Sequence, residues 1–187
     1  MAHVNDIAQK LYDDLGYIGA MRQQKLAYFI QAWSLAWTGR PAFAQRIEAW
    51  PNGPVVQELW RDNRYSLQAQ ARIAGADASR LEPDEVSIID AVVAHYNGLS
   101  TDGLKELSHD EAWLEARVGL APTEPSNREM PLRSVARYYS RQAILNAEVP
   151  RKPELVPCGP APADVIREES QRQMALWKGT LERLASA

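Results

Sequence analysis

The sequence has a single cysteine, Cys158, among its 187 residues, so it cannot form an internal disulfide. Neither this cysteine nor the three histidines show the spacings of a structural zinc site. We therefore expect a protein of a reducing compartment, with cytoplasmic localisation and no bound metal.

Long apolar runs are also missing. No stretch of about 18 consecutive apolar residues occurs, and the amino terminus lacks the basic start and apolar run of a secretory leader. We therefore expect neither a membrane-spanning helix nor export by that route. The hydrophobic share of 45% is nevertheless sufficient for a buried core, and the length suits one compact domain with an appendage.

The chain has no excess of positive charge. Its formal net charge is −3, and residues 1–148 carry 15 basic against 19 acidic side chains, a net charge of −4. Affinity for a phosphate backbone grows with the number of cations that the protein brings to it. The charge balance therefore disfavours nucleic acid as a partner.

The common enzyme motifs are absent too. The sequence contains no G-x-G-x-x-G, G-x-x-x-x-G-K-[ST], G-x-S-x-G or H-E-x-x-H. The run His109-Asp110-Glu111 looks like a reactive cluster, but neighbours on a helix point about 100° apart. With Ser108 before it, the run fits a capping box, in which Ser and Glu bind backbone N–H groups at a helix start. We expect no catalytic residue, no cofactor and no enzymatic activity.

Apolar residues recur at helical spacing in most of the chain, which predicts a mainly α fold. The pattern indicates a compact multi-helix domain with a small β-hairpin or wing. The expected helices lie at residues 4–15 and 21–37, then start at Pro83, at Ser100 or Thr101, at Ser108 and at Pro131.

The hairpin or wing is predicted around the turn at residues 51–53. The segment IEAW at residues 47–50 alternates as a short strand does, and Gly53 can take the positive φ that a tight turn needs. Pro54 suits the first turn of a following helix. The segment ARIAG at residues 71–75 is a possible second strand that pairs with the first.

The composition changes after residue 148. Residues 149–162 contain five prolines and a glycine, which predicts an extended linker. Residues 163–187 follow as an amphipathic helix that either binds a partner, packs on its own domain or pairs with a second copy in a homodimer. Its apolar stripe is formed by Ile166, Met174, Trp177, Leu181 and Leu184.

Four of the six tryptophans lie within residues 33–60. Because they fall on the predicted apolar stripes, we interpret them mainly as core residues. One or two of them are alternatively exposed anchors for a partner.

The amino-terminal half resembles a known family. Four blocks follow in order: QKLAYFIQAW at residues 24–33, GRPAF at 39–43, IEAW at 47–50 and GPVV at 53–56. Together they are similar to the signature of the Panacea domain, the family of SocA-like and phage-associated GepA-like antitoxins. The similarity continues weakly through Leu107, His109 and Trp113 and extends over roughly residues 3–145.

The resemblance implies a mostly helical domain of bacteria, phages and prophages that acts as an antitoxin in a toxin–antitoxin system. Its partner is then a cognate toxin protein encoded by an adjacent gene, neutralised by direct protein–protein binding. An alternative is a proteolytic adaptor that presents the toxin to a protease. The shared motif implies a scaffold, with Trp33, Trp50, Gly53 and Pro54 as its markers, and the partner-binding residues are not part of it.

A DNA-binding repressor of the winged-helix type is the second hypothesis. The segment QELWRDNR at residues 57–64 would then be the recognition helix. Its residues able to contact base edges are Gln57, Arg61, Asn63 and Arg64.

Overall fold

A computed structural model describes residues 1–64, 71–145 and 148–155 of the chain. Seven α-helices, a short 3-10 turn and two strands form in these residues. In chain order they are α1 (Val4–Leu15), α2 (Ala20–Thr38), β1 (Ile47–Trp50), β2 (Gly53–Val56), α3 (Gln57–Asn63), the 3-10 turn Ala78–Arg80, α4 (Pro83–Tyr96), α5 (Thr101–Ser108), α6 (Glu111–Ala116) and α7 (Leu132–Leu145). The predicted mainly helical fold with a small hairpin is confirmed.

Helix α2 lies at the centre of the fold. Its residues 23–35 are all buried, because α1, α4, α5, α7 and β2 pack around it. A helix enclosed on every side cannot point polar side chains to solvent, so each buried polar group needs an internal partner. The block QKLAYFIQAW at residues 24–33 lies in this buried part, and we call it the α2 motif. Its polar residues must therefore find hydrogen-bond partners inside the protein.

Aromatic rings join α2 to α4 and α7. Phe29 stacks on Tyr96 with ring centroids 4.2 Å apart, and Trp33 packs edge-on against Tyr139 at 5.3 Å. The indole N–H of Trp33 also donates a hydrogen bond of 3.0 Å to the Tyr96 hydroxyl. Trp33 is therefore a core residue with its polar atom satisfied, as large buried aromatics require.

The hairpin differs from the prediction in its second strand. β1 pairs antiparallel with β2, in a register that joins Ile47 to Val56 and Trp50 to Gly53. The predictions that Pro54 opens a helix and that residues 71–75 form the returning strand were wrong, since 71–75 contain no strand and α3 begins at Gln57. The two-residue turn closes the hairpin directly. Proline is tolerated because its position in an antiparallel ladder requires no N–H.

The hairpin has a third neighbour on the outer side of β1. The Ala49 N–H donates to the Arg128 carbonyl, and the Met130 N–H donates to the Ile47 carbonyl, each at 2.8 Å. This segment lies far along the chain, between α6 and α7. The outer edge of β1 is therefore already paired.

The starts of α4 and α5 follow the predicted chemistry, whereas the start of α6 does not. Ser100 caps α5 by accepting from the Gly103 N–H at 3.1 Å, and Pro83 opens α4. The capping box predicted at residues 108–111 was wrong, because Ser108 is the last residue of α5. Asp110 caps α6 instead, accepting from the Trp113 N–H at 3.0 Å. Aspartate is as good a cap as serine, so the boundary moves by two residues.

The carboxy-terminal part of the described chain contains no helix or strand. Residues 149–155 belong to the predicted linker, and within them Pro150 is buried. The rest of the linker and the predicted helix at 163–187 lie outside the described residues. In the part that the structure describes, no helix combines the length and the hydropathy needed to cross a membrane.

Candidate functional site

The polar residues of the α2 motif hold backbone segments of the surrounding chain. The side-chain carbonyl of Gln31 accepts from the Ala42 and Phe43 N–H groups at 2.8 and 3.1 Å. Its amide donates to the Phe43 carbonyl at 3.0 Å. One buried side chain thus satisfies three backbone groups and fixes the connection between α2 and β1.

Two further motif residues close the free side of β2. The Gln24 side chain accepts from the Val56 N–H at 2.8 Å and donates to the Val56 carbonyl at 3.4 Å. The Lys25 ammonium donates to the Pro54 carbonyl at 2.9 Å. With β1 paired on its other side, neither edge of the hairpin is open to a partner strand. Recognition by strand addition is therefore disfavoured at this sheet.

Gly53 lies against the end of the Lys25 side chain. A Cβ atom at this position would stand 2.7 Å from both the Lys25 Nζ and the Ser108 Oγ, and the residue has a φ of +95°. Lys25 and Ser108 have no exposed surface. The glycine of the GPVV block is thus required by space and by backbone conformation together.

The electrostatics of this region are unusual. Burial, helped by the positive charge of Lys105, lowers the pKa of Lys25 to about 7. Burial and the charges of Lys25, Lys105 and Arg117 lower the pKa of His109 to about 4. A partly neutral amine beside a hydroxyl has the chemistry of a general base. Both groups are enclosed, however, so a dissolved substrate does not reach them.

His109 and Asp110 have separate structural roles. The His109 ring stacks on Trp113 with centroids 4.0 Å apart. The Asp110 carboxylate accepts from the Tyr28 and Tyr139 hydroxyls at 2.6 and 2.9 Å. Burial raises the pKa of Asp110, and these hydrogen bonds oppose the shift. Within the described residues no three His, Cys, Asp or Glu side chains form a metal-binding group.

The scaffold markers inferred from the resemblance lie in or beside the core. Trp33 is 1% exposed. Trp50 is half-buried against Trp60, with ring centroids 6.0 Å apart, and its carbonyl accepts from the Trp113 indole N–H at 3.0 Å. The tryptophans thus join the hairpin to α3 and α6.

The residues of the DNA-binding hypothesis do not share one surface. Asn63 is buried, and its amide donates to the Tyr12 hydroxyl at 2.7 Å and also contacts Gln23. It is therefore not available to a base edge. Gln57, Arg61 and Arg64 are exposed, but α3 has only seven residues and the expected wing strand is absent from residues 71–75.

The predicted partner-binding stripe lies outside the described residues, as does each of its members: Ile166, Met174, Trp177, Leu181 and Leu184. Within the described part, the structure reveals exposed apolar side chains that the sequence analysis missed. Leu107 on α5 is 51% exposed, Leu114 on α6 is 56% exposed and Val118 just after it is 71% exposed. We call these three exposed side chains, which lie on or beside two consecutive helices, the α5–α6 apolar surface.

Comparison with known proteins identifies one family. Residues 24–114 match the family model described as antitoxin SocA-like, Panacea domain. The matched residues extend from the α2 motif through the hairpin to α6. The comparisons with curated proteins and with solved structures gave no match. Residues 24–114 therefore form a SocA-like Panacea domain.

Proposed function

We propose that this protein is a cytoplasmic antitoxin that neutralises a cognate toxin, encoded by an adjacent gene, by binding it directly. The observation that carries the proposal is the SocA-like antitoxin domain at residues 24–114. Its function is binding rather than catalysis, and no reaction is assigned to its residues.

The internal use of the family motif indicates where recognition takes place. The motif side chains donate to or accept from the backbone of the hairpin and of its connection to α2, as seen for Gln24, Lys25 and Gln31. They are buried, so a partner does not meet them. Specificity for one toxin must then come from residues outside the motif.

Two sets of residues outside the motif are suited to this recognition. The apolar stripe of residues 163–187 has the spacing by which an amphipathic helix enters a groove of a partner. The α5–α6 apolar surface presents Leu107, Leu114 and Val118 to solvent. A tether raises the local concentration of a second contact, so two weak contacts joined by the linker give tight binding.

The experiment is co-expression in a bacterial host. The adjacent reading frame is induced alone, with this protein, and with a form truncated after Leu155 that keeps the buried Pro150. We expect growth arrest by the neighbour alone, rescue by the full chain and co-purification of the two proteins. A harmless neighbour and no co-purified protein would contradict the proposal.

The same experiment distinguishes neutralisation by binding from delivery to a protease. Direct binding leaves the toxin intact in a stable complex, whereas an adaptor lowers the amount of toxin and needs a host protease. The level of a tagged toxin, followed after synthesis is stopped, separates the two mechanisms. Rescue with undiminished toxin supports direct binding.

A further inference from the structure

Lys25 is a fully buried cation with one identified partner. Its side chain has no exposed surface, and its ammonium donates to the Pro54 carbonyl at 2.9 Å. An ammonium group carries three donors, and no carboxylate in the described residues offsets its charge. Burying such a charge without a counter-ion costs free energy, which the loss of a proton removes.

The groups around Lys25 increase this cost. The strand β2, against which it packs, has no titratable side chain. On α5, Lys105 places a second positive charge near it, and in the turn after α5 the His109 imidazole is neutral near pH 7. Apart from the Pro54 carbonyl, the neighbourhood therefore provides repulsion and no opposite charge for the charged form.

Lys25 also stands at the contact between two elements. It lies on α2, its acceptor is the second residue of β2, and a Cβ atom at the first residue, Gly53, would stand 2.7 Å from its Nζ. A change in the charge of this amine therefore acts at the contact between the hairpin and α2.

We propose that Lys25 is a pH-sensitive latch, which couples the packing of the β1–β2 hairpin on α2 to the protonation of one buried amine. The folded pKa near 7 lies below the value of 10.5 in an unfolded chain. Between these values the unfolded chain binds the extra proton, so stability rises with pH from about 7 to about 10.5. Each pH unit in this range changes the folding equilibrium by about tenfold.

The test is the stability of the full chain from about pH 6 to about pH 9, compared with that of Lys25→Met. Methionine keeps an unbranched side chain of similar size and removes the charge. We expect the ratio of the wild-type to the variant folding constant to rise about a hundredfold between about pH 7 and about pH 9. Lys10→Met is the matched control, because Lys10 pairs with Asp14 and Asp90 and its pKa is raised. The ratio of the wild-type to the Lys10→Met folding constant should stay the same over this pH range. Equal pH profiles of stability for the wild type and Lys25→Met would overturn the proposal.

A second measurement decides the question even if Lys25→Met does not fold. In the wild-type protein labelled at the lysine side chains, one of the five lysine signals should titrate near pH 7. The backbone amides of Gly53 and Val55 should shift with the same midpoint, because they belong to the strand that Lys25 holds. Titration of all five lysines above about pH 9 would overturn the proposal.

Discussion

Gln24 binds both backbone groups of Val56, accepting from its N–H at 2.8 Å and donating to its carbonyl at 3.4 Å. A side chain on a helix thus takes the place that a third strand would occupy beside β2. Gln31 does the same for the backbone at Ala42 and Phe43. The polar residues of the motif are structural because they complete hydrogen bonds that the small sheet and its connection lack.

Gln31→Leu should lower the free energy of unfolding by about 3 kcal/mol or more. The change leaves three buried backbone groups of Ala42 and Phe43 without partners, and each unsatisfied group costs about 1–3 kcal/mol. Urea unfolding followed by circular dichroism measures the loss. Gln57→Leu, at an exposed glutamine, is the control and should stay within about 0.5 kcal/mol of wild type. Equal losses in the two variants would contradict the role of Gln31.

Gly53→Ala should destabilise the domain, by about 1–3 kcal/mol from the positive φ alone. The added methyl group also approaches the Lys25 Nζ and the Ser108 Oγ at 2.7 Å, which increases the loss. Gly98→Ala is the matched control, since its φ is not positive and a Cβ there meets no atom within 4 Å. Thermal melting compares the two. A wild-type melting temperature for Gly53→Ala would show that the turn tolerates a side chain.

His109 should make the domain sensitive to acid. Its pKa falls from 6.5 to about 4 on folding, so below about 6.5 the unfolded chain binds a proton that the folded chain does not. Stability therefore decreases as the pH falls through this range. His109→Phe retains a ring to stack on Trp113 and should lack this part of the decrease. The difference in melting temperature between variant and wild type at several pH values tests the effect, and a His109 NMR titration with a midpoint near 6.5 would contradict it.

Truncation after Leu155 should weaken binding to the toxin while leaving the melting temperature of the domain nearly unchanged. Residues 1–154 form one compact unit, so the truncation leaves this unit whole. Isothermal titration against the purified toxin gives the affinity, and circular dichroism gives the folded state. Trp177→Asp in the full chain is the point-substitution counterpart, since it places a charge in the predicted apolar stripe. Unchanged affinity in both proteins would remove residues 156–187 from the binding mechanism.

The α5–α6 apolar surface allows an independent test of recognition. Leu114→Asp and Val118→Asp place charges on side chains that are 56% and 71% exposed, so they should change stability by less than about 0.5 kcal/mol. If this surface contacts the toxin, the same substitutions should weaken the complex by about 1 kcal/mol or more. Exposed Ile144→Asp on α7 is the control. Wild-type affinity for both α6 variants would exclude this surface.

Local patterns predicted the helices well because apolar spacing and caps are local signals. The helix starts at Ser100 and Pro83 could be read from two or three residues. The strand that pairs with β1 was predicted wrongly, because Pro54 is equally suited to a helix start and to a strand position that needs no N–H. The choice between them depends on Lys25 and Gln24, which are distant in sequence.

The burial of polar residues was the part that the sequence did not indicate. Lys25 and Asn63 look like surface residues, and Asn63 was assigned to a possible DNA contact. Both are enclosed because their partners, Pro54 for the first and Tyr12 for the second, come from other elements. Conversely, Leu114 and Val118 look like core residues and are exposed. A single sequence contains no direct signal for such tertiary pairs.

The pairing of β1 with the chain at Arg128 and Met130 means that the recognisable domain and the folding unit have different limits. The residues that identify the family end at 114, yet the last edge of the sheet is closed only by residues beyond them. During synthesis, a chain released only as far as α6 would carry an open strand edge and a buried carboxylate, Asp110, still without Tyr139. Open edges recruit other chains. The segment between α6 and α7 therefore closes the last edge of the sheet from outside the residues that identify the family.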